Sequence, residues 1–324
     1  MNAPPLATSI TGIIGNTPMV ELHRLRNLLG LEGRLLVKLE YLNPGSSKKD
    51  RIALKMMQDA KIEPGQPVVE LTSGNTGTGL AIVCKSMGHP FIAVMSRGNT
   101  PERARMMQAL GAEVVLVDQA PGSVPNQVSG MDLALVEKRT RQLVIERGAF
   151  RADQFHLKAN VLAHELHTGP EIWEQSQGAA DVFLDYAGTG GTFTGISRFL
   201  KSKKPAIRCY LVEPATAAIL AGCPVTNASH KIQGGGYSMA ELPLLDRSLV
   251  TDYLQVADDD AIASARMIAA EEGLFAGFST GAHLAAAVQL LRERERGSTI
   301  AFLACDSGLK YLSTDLFSTQ IGRE

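Results

Sequence analysis

The chain has 324 residues, 45% of them hydrophobic, which is enough for one large or two ordinary domains with a substantial core. Its formal net charge of −1 gives no overall attraction to nucleic acid or to a membrane surface. The four cysteines have neither metal-binding nor redox spacing. We therefore expect reduced thiols in a cytoplasmic protein, without a signal peptide, a membrane span or a nucleic-acid partner.

Strand-like and helix-like segments alternate along the chain. The predicted strands are residues 34–39, 67–71, 91–95, 113–117, 182–186, 207–212 and 299–304. Between the strands at 91–95 and 113–117, Thr100-Pro-Glu-Arg103 begins a helix that Gly111 ends. Such alternation predicts an α/β architecture with parallel strands.

The first chemically suggestive segment is Asn43-Pro-Gly-Ser-Ser-Lys-Lys-Asp-Arg51, which follows the first strand. A helix is predicted to begin near Arg51 or Ile52. Lys49 therefore lies at a strand–loop–helix junction, where α/β proteins place their chemistry. The neighbouring cation Lys48 lowers the cost of losing a proton, and a lysine with a depressed pKa forms Schiff bases with carbonyl cofactors. Two adjacent lysines also fit a solvated helix start, so the segment alone leaves both interpretations open.

A second loop, Glu70-Leu-Thr-Ser-Gly-Asn-Thr-Gly77, joins the end of an apolar stretch to a helix-like segment at 78–84. Its glycines allow close approach of a ligand, and exposed amides at a helix start attract anions such as carboxylates. An ordinary polar turn would have the same composition.

A third loop, Asp185-Tyr-Ala-Gly-Thr-Gly-Gly-Thr192, lies between a strand and the helix-like residues 193–203. A glycine loop in this position is a phosphate cradle, but it lacks the Gly-Lys-Ser/Thr ending of a P-loop. It also lacks the full Gly-x-Gly-x-x-Gly spacing, although Glu213 follows where a ribose-binding acid would be expected. A Rossmann-like NAD-dependent dehydrogenase is therefore the alternative from a different class.

Together the three loops resemble the β-family (fold-type II) pyridoxal-phosphate enzymes, and most closely the cysteine synthase branch. Asp50-Arg51 sets the register so that Lys49, not Lys48, matches the cofactor lysine. The similarity extends along nearly the whole chain in family order, through Ile14-Gly-Asn-Thr-Pro18, the lysine segment, Ser73-Gly-Asn-Thr-Gly77, Gln154-Phe155, Thr168-Gly-Pro-Glu-Ile-Trp173, Gly188-Thr-Gly-Gly-Thr192, Lys231-Ile-Gln-Gly234, Gly277-Phe-Ser-Thr-Gly281, Asp306-Ser-Gly308 and Tyr311-Leu-Ser-Thr314.

The resemblance implies an α/β fold of type II, similar to tryptophan synthase β, with two α/β domains, mostly parallel sheets and the cofactor between them. Residues 1–51 and 158–324 would form the larger C-terminal domain, and residues 52–157 the smaller, mobile N-terminal domain. The implied cofactor is pyridoxal 5′-phosphate. The implied partners are a small amino-acid substrate, a small nucleophile and a second copy of the chain in a homodimer.

The resemblance also assigns roles to residues. Lys49 would hold the cofactor and then act as the general base on the substrate, while Asn75 would bond the 3′-oxygen of the cofactor ring. Ser279 would face the pyridine nitrogen, and Gly234 would face the substrate. The phosphate would be bound by Gly188, Thr189, Gly190, Gly191 and Thr192, and the substrate carboxylate by Thr72, Ser73, Thr76 and Gln154. No metal is expected.

The neutral hydroxyl of Ser279 cannot stabilise a pyridinium as a carboxylate would, which suits β-elimination better than transamination. Ser279 could also serve as a helix N-cap. The implied reaction is β-replacement on O-acetylserine or O-phosphoserine through an α-aminoacrylate, with sulfide giving L-cysteine. Cystathionine synthase, diaminopropionate synthase, a cysteine or serine lyase, and a catalytically silent binding protein remain alternatives.

The departures from the family pattern lie mainly on the substrate side. They comprise His156-Leu-Lys158, His164-Glu-Leu-His-Thr-Gly-Pro170 and the Gly234-Gly-Gly-Tyr-Ser238 loop, together with Lys48 in place of a small apolar residue. Lys158, if it faced the cleft, would favour anionic substrates. His164 and His167 could share a helix face, but without further ligands we expect hydrogen-bonded or surface histidines rather than a metal site.

Overall fold

The computed structural model describes residues 6–124 and 128–318. The strands in this part of the chain are β1 (Met19–Glu21), β2 (Arg34–Lys38), β3 (Val68–Leu71), β4 (Phe91–Ser96), β5 (Glu113–Val117), β6 (Phe150–Arg151), β7 (Val182–Tyr186), β8 (Arg208–Pro214), β9 (Asp252–Val256) and β10 (Thr299–Leu303).

The α-helices are α1 (His23–Leu28), α2 (Lys49–Asp59), α3 (Asn75–Met87), α4 (Pro101–Ala109), α5 (Gly130–Arg147), α6 (Ala159–Ala163), α7 (Gly169–Gln175), α8 (Gly191–Lys203), α9 (Asp258–Glu272) and α10 (Phe278–Arg292). A π-helical turn, His164–Thr168, joins α6 to α7. Within the described residues, no helix combines the length and apolarity needed to cross a membrane.

The strands form two separate sheets. The larger has the order β1-β2-β10-β7-β8-β9, and the smaller has the order β5-β4-β3-β6. All pairings are parallel except that of β1 with β2. The α/β architecture with mostly parallel sheets is therefore confirmed.

Both sheets are buried on both faces. In β7, Val182 and Leu184 belong to one core and Phe183 to another, because successive side chains point to opposite faces. The smaller sheet shows the same alternation in β4, where Ala93 packs into one core and Val94 into the other. Near-continuous apolar strands are typical of such doubly covered sheets, and this made them recognisable in the sequence.

All seven predicted strands are present, with ends that differ by at most two residues. Prediction missed β1, β6 and β9, because two of them have only two or three residues and β9 alternates between exposed and buried positions at the sheet edge. Three helices begin earlier than predicted: α2 at Lys49, α3 at Asn75 and α8 at Gly191. The first turns of α3 and α8 are rich in asparagine, threonine and glycine, which are weak helix formers, whereas α2 begins with Lys49, a good helix former.

The smaller sheet uses only strands between residues 68 and 151, whereas the larger takes strands from both ends of the chain. The division into two domains, its boundaries at 51/52 and 157/158, and the mobility of the smaller domain stay predictions.

Candidate active site

The two lysines lie in a loop that is fixed to the end of β10. The backbone N–H of Lys48 donates to the carbonyl of Cys305 at 2.8 Å, and Ser47 forms an isolated bridge with Asp306. Lys48 precedes α2, and Lys49 is its first residue. The ammonium of Lys48 contacts Asp185 at the end of β7, with 2.8 Å between Nζ and Oδ1.

These contacts give the two lysines opposite acid–base properties. Burial, followed by the charge of Lys48, lowers the pKa of Lys49 to about 8. Burial also disfavours the charge on Lys48, but Asp185 outweighs that effect and raises the pKa of Lys48 above its usual value. Lys48 is therefore a permanent cation, whereas Lys49 can become a neutral amine near physiological pH.

The glycine loop following β7 connects directly to α8. Gly190 has a φ of 84°, in the left-handed region, and a Cβ there would lie 2.8 Å from Leu245. A Cβ on Gly191 would meet the Asn160 side chain at 2.3 Å. Glycine is thus required at both positions, and the open backbone amides at the start of α8 can receive an anion.

Two side chains hold the hydroxyl groups of this loop. Nδ2 of Asn160 donates to Oγ1 of Thr189 at 2.8 Å, and Nε2 of His164 lies 3.2 Å from Oγ1 of Thr192. Asn160 also donates to the carbonyl of Gln154, so it links the loop to the predicted carboxylate clamp. Burial and nearby cations hold the pKa of His164 well below its ordinary value, which keeps the ring neutral.

Asn75 is the first residue of α3 and is tightly oriented. Its Nδ2 donates to Oδ2 of Asp306 at 2.7 Å, while its Oδ1 accepts from Nζ of Lys310 at 2.8 Å. Ser279 is the second residue of α10, whose N-cap is Gly277. The suggestion that Ser279 serves as the N-cap is therefore wrong.

A single cavity brings most of the predicted cofactor residues together. Asp185, Cys305 and Asp306 also line it, and none of these was predicted. The predicted residues in its lining are Lys49, Asn75, Gly188, Thr189, Gly190, Thr192, Ser279 and Gly234. Gly191 is not part of the lining, but it forms the first residue of α8 immediately behind it.

The predicted carboxylate clamp lies at the end of β3. Oγ1 of Thr76 donates to Oε1 of Gln154 at 2.6 Å, and Nε2 of Gln154 donates to the carbonyl of Leu71. Oγ1 of Thr72 accepts the backbone N–H groups of Gly74 and Gly77. Three of the four side chains are thus tied to this loop by hydrogen bonds. The fourth residue, Ser73, lines an adjoining cleft of about 510 Å³.

The substrate-side residues fall into two groups. Gly234 lines both the cavity and the cleft, and Tyr237 lines the cleft. His156 and Lys158 are exposed, and Lys158 does not line the cleft in the described part of the chain. His156 pairs with Asp153 at 3.0 Å.

The histidine pair considered for a metal is not brought together as a site. His164 is buried and bonded to Thr168, whereas His167 is exposed. A different trio, Asp185, His283 and Cys305, places ligand-type atoms within 4.8 Å of one another. The Lys48 ammonium, however, is already paired with Asp185 of this trio, and a cation there would meet its repulsion.

The hydrogen bonds of His283 fix its tautomer. The backbone N–H of Tyr186 donates to Nε2 at 2.7 Å, and Nδ1 lies 2.8 Å from the carbonyl of Leu303. Asp185, 3.5 Å away, favours protonation of the ring, while burial and the Tyr186 amide oppose it. The amide decides, because an N–H directed at Nε2 leaves no room for a second hydrogen, so His283 is neutral with its proton on Nδ1.

Glu213, the residue expected to bind the ribose in a dinucleotide-binding protein, has a different role. Glu213 is buried, and its two carboxylate oxygens accept the backbone N–H groups of Leu220 and Ala221 at 3.0 and 2.8 Å. Both oxygens help to close its own loop, and the side chain is only 1% exposed, so a ribose could not reach it. This removes the main support for the dehydrogenase alternative.

The family model for pyridoxal-phosphate dependent enzymes matches residues 10–306. The chain belongs to this family. It is 40% identical over 317 residues to a cysteine synthase of Staphylococcus aureus, covering 96% of this chain and 97% of that protein.

Solved structures agree with this assignment. O-acetylserine sulfhydrylase isoform 3 from Entamoeba histolytica superposes with a TM-score of 0.88 at 33% identity, covering 99% of this chain and 96% of that one. A hydrogen sulfide-producing enzyme from Fusobacterium nucleatum superposes with a TM-score of 0.86 at 38% identity, covering 95% and 100% respectively. The protein is thus a pyridoxal-phosphate dependent enzyme of fold type II.

The residues present fit this cofactor. A lysine with a lowered pKa suits bond formation with an aldehyde, and the glycines and threonine hydroxyls before the thirteen-residue helix α8 suit a phosphate. Asn75 and Ser279 add neutral hydrogen-bonding groups to the same lining.

Proposed function

We propose that the enzyme catalyses β-replacement on an activated L-serine, O-acetylserine or O-phosphoserine, most simply with sulfide to give L-cysteine. The observation that carries the proposal is that Lys49, Asn75, Ser279 and the glycine loop line a single cavity. Beside it lie the uncharged side chains proposed to bind the substrate carboxylate. The relatives that are cysteine synthases and O-acetylserine sulfhydrylases support it.

Pyridoxal phosphate, when bound, supplies an electron sink for charge that develops at the substrate α-carbon. Lys49 would hold the cofactor and, once released, accept the α-proton on Nζ. Its lowered pKa supports that role, since a general base works best with a pKa near the operating pH. The hydroxyl of Ser279 would face the pyridine nitrogen without adding a negative charge.

The other residues would bind and orient. The amides and hydroxyls of Gly188 to Thr192 would hold the phosphate, and Asn75 would hold the 3′-oxygen while Asp306 and Lys310 fix its amide. Thr72, Ser73, Thr76 and Gln154 would bind the substrate carboxylate. For this the Thr76 hydroxyl must turn away from Oε1 of Gln154, because its hydrogen is now donated there.

We further propose a homodimer in the cytoplasm, with residues 52–157 as the mobile domain. The family resemblance supports the dimer. The cytoplasmic location is supported by the free thiols of Cys84, Cys209, Cys223 and Cys305, three of which are buried.

Attachment at Lys49 is tested by borohydride, which makes a lysine–cofactor bond permanent. Peptide mass spectrometry should then locate the label on Lys49. Lys49→Ala should lower activity by about 100- to 10,000-fold, the usual contribution of a general base. Lys48→Ala, which keeps Lys49, is the matched control for the labelling site. A label on Lys48, or binding of NAD in place of pyridoxal phosphate, would contradict the assignment.

Substrate choice is decided by presenting O-acetylserine, O-phosphoserine, serine and cysteine separately to the enzyme, each with sulfide, thiosulfate, homocysteine or ammonia. Fastest turnover of an activated serine with sulfide supports the proposal. Release of sulfide from cysteine as the dominant reaction would favour a lyase instead, the activity suggested by the hydrogen sulfide-producing relative.

A further inference from the structure

Arg103 is a buried cation without an anionic partner. It is the third residue of α4 and only 2% exposed. Its Nη1 donates to the carbonyl of Ser73 at 2.6 Å, but Nε and Nη2 have no hydrogen-bond partner in residues 6–124 and 128–318. Among the described residues it forms no ion pair. A buried charge in this state is costly, so the protein retains it against a strong physical penalty.

The guanidinium is held firmly in place. The aliphatic part of Arg103 lies over Gly74, whose φ is 130°, and a Cβ on Gly74 would come within 2.6 Å of Cδ of Arg103. On the other side, the guanidinium carbon stacks at 4.9 Å from the centre of the Tyr311 ring. The charge is therefore fixed directly beneath the loop formed by residues 72–77.

The same region presents a helix N-terminus to the cleft. Thr100 is the N-cap of the nine-residue helix α4, but its hydroxyl makes no capping bond and is buried without a partner. Ser73, Thr100 and Pro101 all line the 510 Å³ cleft. Both the helix dipole and the unpaired guanidinium favour an anion at this wall of the cleft.

The other groups of the region are either neutral or bonded to partners of their own. The proposed clamp consists of Thr72, Ser73, Thr76 and Gln154, which are all neutral. Lys231 and Asp315 also line the cleft, but they form an ion pair with each other. The ammonium of Lys310 is bonded to the carbonyl of Gly45 and to Asn75. Arg103 is the cation that donates directly to the backbone of the clamp, at the carbonyl of Ser73.

We propose that Arg103 is a specificity-determining residue, which supplies the counter-charge for the substrate carboxylate and shapes the Ser73 loop through its carbonyl. This inference rests on the proposed function, because it assumes an amino-acid substrate in the cleft. Arg103 acts as a positioning residue behind the loop. Its charge favours a substrate with a negatively charged group more strongly than the uncharged clamp residues would alone.

The test compares an acid with its uncharged amide. L-Serine and L-serinamide are titrated into the holoenzyme, and binding is followed by the absorption spectrum of the cofactor. The wild type should prefer the acid. Arg103→Met should weaken binding of the acid about ten- to a hundredfold while leaving the amide almost unchanged. Arg103→Lys should fall between them. Arg105→Met, at an exposed position of the same helix, should behave as the wild type.

Several outcomes would overturn the inference. A wild type that binds acid and amide equally would overturn it without any variant, so the test does not depend on Arg103→Met folding. A folded Arg103→Met variant that keeps the wild-type preference for the acid would also overturn it. So would an equal loss of affinity for the acid and the amide, because Arg103 would then be a structural support only. A wild type whose spectrum responds to neither ligand nor to O-acetylserine would overturn the proposed function as well.

Discussion

At the scale of single residues, the Lys48–Lys49 pair shows how a neighbouring charge prepares a nucleophile. The two ammonium groups lie in the same cavity lining, yet only one has a carboxylate partner. Asp185 fixes the charge on Lys48, and that charge makes a second one on Lys49 unfavourable. Lys48 thus has a chemical consequence beyond its own ion pair.

This arrangement predicts the pH dependence of cofactor capture by the apoprotein. Only neutral Lys49 attacks an aldehyde, so the rate should rise with pH and level off above about 8. Lys48→Met removes a like charge and leaves Asp185 unpaired, and both changes raise the pKa of Lys49. The midpoint should therefore move to higher pH, and a pKa one unit higher leaves about ten times less neutral amine at pH 7.

Stopped-flow absorbance across a range of pH measures that rate. Lys85→Met, which removes an exposed lysine from α3, is the control and should keep the wild-type midpoint. A Lys48→Met midpoint equal to or below that of the wild type would show that burial alone lowers the pKa of Lys49.

The sequence carried enough information to predict the residues that bear the cofactor chemistry but not those that orient them. Lys49, Asn75 and the glycine loop are part of contiguous segments whose composition implies a task. Asp185, Asn160 and Lys310 act through partners 137, 29 and 235 positions away, so no local pattern marks them. The unpaired state of Arg103 likewise becomes visible only from the full set of its neighbours.

At the scale of elements, α2 is tied to the larger sheet by a buried ion-pair network. Nε of Arg51 contacts Glu40 at 2.7 Å, and its Nη1 contacts Glu171 at 2.6 Å. Lys38 completes the network with a 2.6 Å contact to Glu171. Two cations and two anions therefore balance each other, which fixes the first turn of α2 and with it Lys49, the first residue of that helix.

Breaking this ion-pair network should lower the stability of the protein. Arg51→Met leaves the fully buried Glu40 without its main partner, and we expect the free energy of unfolding to fall by about 3–5 kcal/mol. Urea titration measures the change, with Arg24→Met, at an exposed position in α1, as the control. A loss below about 1 kcal/mol, the size typical of a surface pair, would contradict the expectation.

The direction in which stability changes with pH follows from the ionisation of Glu40. Despite burial, Arg51 holds the pKa of Glu40 below its usual value, so the wild type gains stability from the ionised form. That contribution is lost as the pH falls through the unfolded and then the folded pKa. Protonated Glu40 needs no cationic partner, so the difference between wild type and Arg51→Met should be largest near neutral pH and narrow in acid.

Element boundaries were harder to predict than element types for a related reason. The first turns of α3 and α8 contain Asn75 and Gly191, residues that local propensity does not place in helices. Tertiary contacts, such as those of Asn75 with Asp306 and Lys310, stabilise these turns instead. The prediction therefore placed each helix start two or three residues too late, at the very positions that face the cavity.

At the scale of the whole molecule, the two sheets contribute opposite walls of the cleft. Ser73, Asn99 and Thr100 follow strands of the smaller sheet, whereas residues 230–237 and 313–315 belong to the part of the chain that contains the larger sheet. The cavity around Lys49 adjoins the cleft and shares Gly234 with it. We expect the two walls to move relative to each other when a ligand binds, as proposed for the smaller domain.

The expected movement of the two walls leads to a prediction for hydrogen–deuterium exchange in the holoenzyme. L-Alanine has the amino and carboxylate groups of the substrate but no leaving group, so it should close the cleft without turnover. We expect slower exchange on both walls, in peptides spanning 72–77 and 98–101 and in those spanning 230–237 and 313–315. Gln154→Ala removes a clamp residue and should show weaker protection at the same ligand concentration. Protection limited to the peptides around Lys49 and residues 188–192 would instead indicate a rigid cleft, because a ligand that closes two walls must slow exchange on both.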